Sequence, residues 1–435
     1  MRCKFFLLAI LAILLTLAAC GNGRQENSPL VTLPPVIIAD NAQISHHSHT
    51  SQSEGLLIPE LDIPPFNEYT VFLDFEPGLR IIRGIESLRY TNRTGRYIDT
   101  LFFRVPYNFM DILHISKDNE ELIYTVDETV LAVELSRSIE PDETIQIHIQ
   151  FEAAIPKSAL RIGANDRAVW AGGFLPTEEV SPFVLDVANY AVEITTPIGY
   201  TVAGTGIKTE TYLDDQKITA FTAQMTRDFA FAISPYFQRT TTMASSGVVE
   251  IILYHYSPNL PTEHILSAAE ETINFFEETV GVYPYAQLSI VETDMAGYGE
   301  KFSGIIFMDS NYLHTSQSLS ILRHELGRQW FSVIIGGDPV QEPWLNRSLA
   351  YFWSSRLFQH DWPRNFPLNQ YQQASFMFHA LYQEIGEENF LSLLREYFRQ
   401  YAFRIASMSD FIALAEEIHE SSLQDFFDYW LNVFD

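Results

Sequence analysis

The chain has 435 residues, a formal net charge of -28, and a composition that is 47% hydrophobic and 19% charged. That length accommodates about two or three domains with substantial cores, and the acidity excludes nucleic acid as a partner and direct adhesion to anionic lipid. The acidic residues are scattered rather than blocked, which makes them a solvated surface.

Arg2 and Lys4 precede an almost unbroken apolar run over 5–17, which ends in Leu17, Ala18, Ala19 and Cys20. The run is short for a membrane-spanning helix and has the flanks of a secretory signal. Small residues before a cysteine at its end resemble a bacterial lipobox. Residues 1–19 are therefore read as a lipoprotein signal peptide, with Cys20 as the lipidated, palmitate-bearing first residue of the mature chain. This predicts a protein anchored by lipid to the cell membrane on the extracytoplasmic face. An uncleaved anchor, the alternative, gives the same side. Cys3 and Cys20 are the only cysteines, so processing leaves no disulfide. Residues 20–57 are polar and punctuated by proline, and read as a flexible tether. Its His46, His47 and His49 are solvated linker residues in this reading rather than a metal site.

Residues 58–235 are strand-like. Segments 69–75, 145–151 and 190–196 alternate apolar and polar residues, while Pro77 with Gly78 and Asp214 with Asp215 mark turns. No helical period is sustained, which predicts an antiparallel β domain. Residues 236–435 differ in texture. A strand at 248–256 leads to a helix at 262–279, whose Ile265, Ala268, Ala269, Ile273 and Phe276 share one stripe. Strands at 288–292 and 304–308 flank a glycine-rich turn. Beyond 316 the chain reads as helical, closing with helices at 409–418 and 423–433.

The first of these late helices carries the most chemistry. The pattern His-Glu-x-x-His sets two histidines on one helix face, where they grip zinc together while the glutamate activates the zinc-bound water. His324 and Glu325 hold the first two positions, and Arg328 stands where the second ligand belongs. A guanidinium keeps its proton at any working pH and offers no lone pair to a cation. His324 then reads as a hydrogen-bonded core histidine and Glu325 as an ion-pair partner. His314, His360 and His379 have no spacing that makes them replacement ligands.

The block Pro343, Trp344, Leu345, Asn346, Arg347, Ser348, Leu349, Ala350 resembles the Pro-Trp-Leu-Asn-Glu-Gly-Leu-Ala segment of the aminopeptidase N (membrane alanyl aminopeptidase) family of gluzincin zinc metallopeptidases. Residues 275–285 are similar to that family's segment before its substrate-binding strand, and Tyr371 with the following Gln-Gln-Ala resembles its Tyr-x-Lys-Gly. The resemblance runs from about Tyr69 to the C-terminus. It implies an α+β fold, with an N-terminal antiparallel, saddle-like β domain. A thermolysin-like domain with a small sheet and a helical C-terminal half is implied to follow. It also implies a third zinc ligand, a glutamate separated from the second by eighteen residues, and that gap counted from Arg328 reaches Arg347. Tyr371 would stabilise an oxyanion. A loop glutamate would hold the substrate's amine, and an ungapped match puts Lys301 there, with Glu300 one residue away.

With arginine at both Arg328 and Arg347, the chain reads as a degenerate member of the family, a pseudoenzyme. The two guanidinium groups supply as fixed charges what zinc would bring, and are expected to pair with Glu325 and Glu300 in the former metal cavity. The favoured function is a surface-tethered lipoprotein that keeps the peptidase domain as a non-catalytic module, without a cofactor, and binds peptides or a partner protein. Two arginines in a cleft favour carboxylates such as peptide C-termini. One alternative is an active zinc aminopeptidase with zinc as cofactor, Glu325 as base and Tyr371 at the oxyanion. The other is a structural subunit of a membrane-surface complex.

Overall fold

The computed structural model describes residues 66–434 other than 107, 158–159, 181–183, 343–344 and 359–369, with backbone alone at 355–358, 370–373 and 432–434. The signal peptide, Cys20 and the tether lie outside the described residues. In the strand Asn67–Glu76 every second side chain is buried, with Tyr69, Val71, Leu73 and Phe75 inward. Burial with period two fixes one face of a sheet to a core and leaves the other wet. The strand belongs to an eight-stranded sheet in the order Ile207–Leu213, Gln216–Thr226, Ala188–Pro197, Asn67–Glu76, Ile81–Thr91, Thr144–Ala154, Met110–Lys117 and Glu120–Glu121. Two four-stranded sheets share its core, through residues such as Phe103, Leu131, Phe174 and Phe231.

Ladders in this half are antiparallel among the described residues, with one exception. Asn67–Glu76 runs parallel to Ala188–Pro197, with Asn67 opposite Ala188 and Asp74 opposite Thr195. A parallel pair needs a long crossover, and the residues between the two strands, which hold other strands of the large sheet and most of those of the smaller ones, provide it.

Beyond Ser234 helices join the strands. Helix α1 (Thr262–Thr279) buries Ile265, Ala268, Ala269, Ile273 and Phe276. It shares its core with a five-stranded sheet of Gln238–Met243, Glu250–His255, Gln287–Thr293, Ile305–Asp309 and Gly299–Phe302. Helices α2 (Ser310–Leu313) and α3 (Ser318–Arg328) follow, then a π-helical stretch (Gln329–Ile334) and α4 (Leu345–Phe358). The chain ends in α5 (Gln370–Ile385), α6 (Glu387–Tyr401), α7 (Met408–His419) and α8 (Gln424–Phe434). The architecture is α+β, strand-rich first and helical last, as the resemblance implied. Among the described residues no helix is long and apolar enough to cross a membrane.

One buried group in the large sheet is out of keeping with its surroundings. Glu86 stands opposite Val71 and Ile149 in the ladders and is 0% exposed. Neither carboxyl oxygen has a hydrogen-bond partner among the described residues. Burial holds this carboxyl well above the usual carboxylate range, and burial together with the charge of Asp186 lifts Glu178 to about 7. Below neutrality both groups hold protons in the native state that they release on unfolding. Stability therefore falls as pH rises above the unfolded value of about 4.3, through the Glu178 range and onward for Glu86. Glu86→Leu is expected to stabilise the protein by roughly 1–3 kcal/mol, the cost of a buried unsatisfied polar group, and to flatten that decline. Urea melts of both proteins at about pH 5 and pH 8 check this; equal pH dependence would refute it.

Candidate functional site

The face of α3 that meets the sheet carries His324, Glu325 and Arg328, each at most 5% exposed. Residues three and four apart are neighbours on a helix, which gathers the three. Gly299 lets the strand Gly299–Phe302 come close: a Cβ there would lie 3.1 Å from Ile321 Cγ2 and 3.2 Å from Glu325 Cγ. The approach sets Glu300 beside Arg328. Arg328 Nη1 donates to Glu325 Oε2 at 2.8 Å, and its Nη2 lies 3.5 Å from Glu300 Oε1. Glu300 Oε1 also accepts from Arg161 Nη2 at 2.9 Å. Arg161, just ahead of the strand Ile162–Ala164, lies over the Phe302 ring at 5.5 Å.

Burial first, with the Glu300 charge adding to it, raises the Glu325 carboxyl above its ordinary value, and Arg328, Lys301 and Arg347 oppose the rise. On the other side, burial works against the Arg328 charge, but Glu325, Glu300 and Tyr351 outweigh it. The ionised pair is the state this geometry favours, because a neutral Glu325 would leave a permanently charged guanidinium buried beside a lost counter-charge. Burial likewise opposes ionisation of Glu300, but Arg161, Arg328 and Lys301 prevail and hold it well below the usual carboxylate range. Burial first, then Arg328 and Arg347, hold His324 well below its ordinary value, so its ring is neutral. That ring hydrogen-bonds the Ala350 backbone and lies 4.0 Å from the Tyr351 ring.

Arg347, in the first turn of α4, is half-buried, and its charge reaches both His324 and Glu325. Trp330 and Tyr351 are core residues, 0% and 7% exposed. His314 is exposed, and His379 packs edge-on against Phe352 at 4.6 Å. Tyr371 falls in the first turn of α5, with its side chain outside the described residues, as are Trp344 and His360. Two contributors had no local signal in the sequence. Arg161 arrives from the β-rich half, and nothing in its local sequence points to Glu300. Gln329 is fully buried; its Nε2 donates to the Phe302 carbonyl at 2.9 Å, and its Oε1 accepts from Tyr283 Oη and Gly304 N, each at 3.2 Å. This amide pins the turn after Gly299–Phe302 to the start of the π-helical stretch.

Zinc takes imidazole, thiolate or carboxylate donors. His324 supplies an imidazole, but Glu325 is committed to Arg328 and Glu300 to Arg161 and Arg328. Among the described residues no cluster of three or more His, Cys, Asp or Glu could hold a metal ion. Guanidinium groups at the other two ligand positions repel a dication as well. The residues present do not fit zinc.

The surrounding architecture has solved counterparts. The M1 zinc metallopeptidase from Deinococcus radiodurans is similar to this chain at TM-score 0.69 and 16% identity, over 84% of this chain and 93% of that one. The chain has the M1 metallopeptidase fold. Aminopeptidase A from Legionella pneumophila, solved with aspartic acid, shares the M1 fold with it at TM-score 0.70 and 14% identity, over 85% of this chain and 50% of the other. In sequence, human glutamyl aminopeptidase is 22% identical over 299 residues, 56% of this chain. The M1-fold chain spans 31% of that relative's length. No family model matches it.

Proposed function

We propose that this M1-fold chain is a lipid-anchored, extracytoplasmic module that holds a peptide or a partner protein in the cleft beside α3 and does not hydrolyse it. The loss of catalysis rests on one observation, the 2.8 Å pair between Arg328 and Glu325. It fills the second ligand position with a group unable to bind a cation and engages the carboxylate that would serve as general base. Ligand access is supported by Arg161, whose side chain is 47% exposed, and by the half-buried Lys301 and Arg347. Anchoring rests on Arg2, Lys4, the apolar run and Cys20.

Metal analysis and an assay of aminoacyl amide hydrolysis test the proposal. The natural protein is expected to carry no stoichiometric zinc and to show no chelator-sensitive turnover. Arg328→His combined with Arg347→Glu is expected to bind about one zinc per chain, with turnover kept poor by Lys301. Stoichiometric zinc with chelator-sensitive hydrolysis in the unchanged protein would overturn the reading.

A further inference from the structure

An open sheet has two edge strands, whose unpaired N–H and C=O groups recruit another strand unless the edge is guarded. Most edges among the described residues are guarded. Glu120–Glu121 is a pair of acids, Thr177–Glu178 is equally short, and Ile162–Ala164 and Thr201–Gly204 are almost wholly buried. Gly299–Phe302 lies against α3, and Gln238–Met243 carries Arg239, which pairs with Glu250. The strand Ile207–Leu213 differs. It ends the order of the large sheet, runs seven residues without a proline, and pairs with residues 216–222 in a register that no bulge interrupts. Its single lysine does not guard it. Lys208 Nζ donates to Val202 O at 3.4 Å and to Glu210 Oε1 at 3.3 Å, and lies over the Tyr254 ring at 5.3 Å.

Ile207, Thr209, Thr211 and Leu213 share the face away from the core, since the alternate residues stand opposite the buried Phe221, Thr219 and Lys217. Ile207 is 52% exposed and Leu213 57%. The order of these four residues selects the partner. Paired antiparallel with a copy of itself about Glu210, the strand sets Ile207 opposite Leu213 and Thr209 opposite Thr211, each pair twice. Apolar then meets apolar and hydroxyl meets hydroxyl, the pairings that stabilise a ladder. This register uses all seven residues. A slip of one residue turns the wet face of one sheet toward the core side of the other, and a slip of two cuts the overlap to five residues. Glu210 meets its own copy on the axis, but Lys208 and Lys217 hold each carboxylate at 3.3 and 3.4 Å, so two acids face four ammonium groups. The rival edge Ile123–Asp127 lacks this order, because self-pairing sets Ile123 opposite Asp127. We propose that Ile207–Leu213 is a dimerisation edge, which pairs antiparallel with the same strand of a second copy of this chain and joins two eight-stranded sheets into one of sixteen. The occupant is a second copy because the strand's own sequence is the complement it presents. One strand pair is a small interface, so the dimer is weak and depends on concentration. It does not depend on what the cleft beside α3 holds.

Sedimentation velocity tests this on the mature chain begun at Gly21, which lacks Cys3 and Cys20 and so carries neither thiol nor lipid. Salt at about 0.5 M screens the repulsion between two chains of charge -28. A monomer–dimer equilibrium is expected at concentrations up to about 0.5 mM, where small interfaces associate. Thr209→Lys with Thr211→Lys sets like charges opposite each other and is expected to weaken the dimer about tenfold. Thr125→Lys, on the rival edge, is expected to leave it unchanged. All three positions are exposed, so urea melts of these variants are expected to match the natural protein. Cross-linking reads the register without a charge change. Oxidation of a mixture of Thr209→Cys and Thr211→Cys proteins is expected to give a disulfide-linked dimer, and either protein alone far less. A monomer at every concentration, a dimer that the folded double lysine variant keeps intact, or equal cross-linking within either cysteine variant alone would overturn the inference.

Discussion

Glu325→Ala is expected to destabilise the protein by about 3–5 kcal/mol, the usual effect of breaking a buried ion pair from one side. In a zinc peptidase the glutamate of this motif works on a water, and its removal is felt in turnover. Here Glu325 is the nearest counter-charge of Arg328, and both side chains are 6% exposed. Alanine leaves a guanidinium that cannot lose its proton beside Lys301, with Glu300 as its remaining acidic partner among the described residues. Glu325→Gln keeps the shape and an acceptor oxygen, so a smaller loss of roughly 1–3 kcal/mol is expected. The double change Glu325→Leu with Arg328→Met removes both charges and is expected to recover most of the stability, since apolar replacement of a buried pair is often neutral. Chemical denaturation of the natural protein, Glu325→Leu, Arg328→Met and the double variant closes the cycle, with Glu325→Ala and Glu325→Gln measured beside it. A loss below about 1 kcal/mol for Glu325→Ala, the range of an exposed pair, would show that the two residues are not a buried unit.

Arg227→Met is expected to lose roughly 4 kcal/mol or more, through the loss of four hydrogen bonds from one buried guanidinium, two of them to buried carbonyls. The Arg227 guanidinium donates to Val333 O at 2.8 Å, Leu185 O at 3.0 Å, Ile334 O at 3.2 Å and Arg404 O at 2.8 Å. It is 6% exposed. Val333 and Ile334 close the π-helical stretch, where carbonyls run out of partners along the helix axis, so a side chain from the β-rich half caps the helix that follows the motif. Gly336 makes room for it: a Cβ there would lie 2.4 Å from Arg227 Cζ. Arg227→Lys is expected to rescue little, because an ammonium lacks the planar fork that reaches four acceptors at once. A denaturation midpoint for Arg227→Met within error of the natural protein would refute the cap.

Much of this was legible in the residues, and the remainder was not for identifiable reasons. Helix α1 spans Thr262–Thr279, the range the apolar stripe of Ile265, Ala269, Ile273 and Phe276 delimits, because a one-sided helix declares itself through its period. His324, Glu325 and Arg328 were recognisable together because helix geometry alone makes them neighbours. The segment read as a glycine-rich turn instead holds the strand Gly299–Phe302, paired antiparallel with Ile305–Asp309. It is too short for alternation to show, and its pairing depends on a partner. Arg161 and Arg227 reach α3 and its continuation from the other half of the chain, and no periodicity encodes such a meeting. The parallel ladder between Asn67–Glu76 and Ala188–Pro197 was hidden for the same reason.

That ladder governs how the molecule must assemble. Asn67–Glu76 occupies the middle of the large sheet's order, between Ile81–Thr91 and Ala188–Pro197. As the chain is synthesised, the hairpin with Ile81–Thr91 can zip at once. The opposite edge keeps its N–H and C=O groups unpaired until Ala188–Pro197 has been made, and an open strand edge invites mispairing. Closure of the sheet is thus a non-local step, slowed by the entropy of bringing distant segments together. The last piece to settle the earliest strand is one of the later strands of its own half.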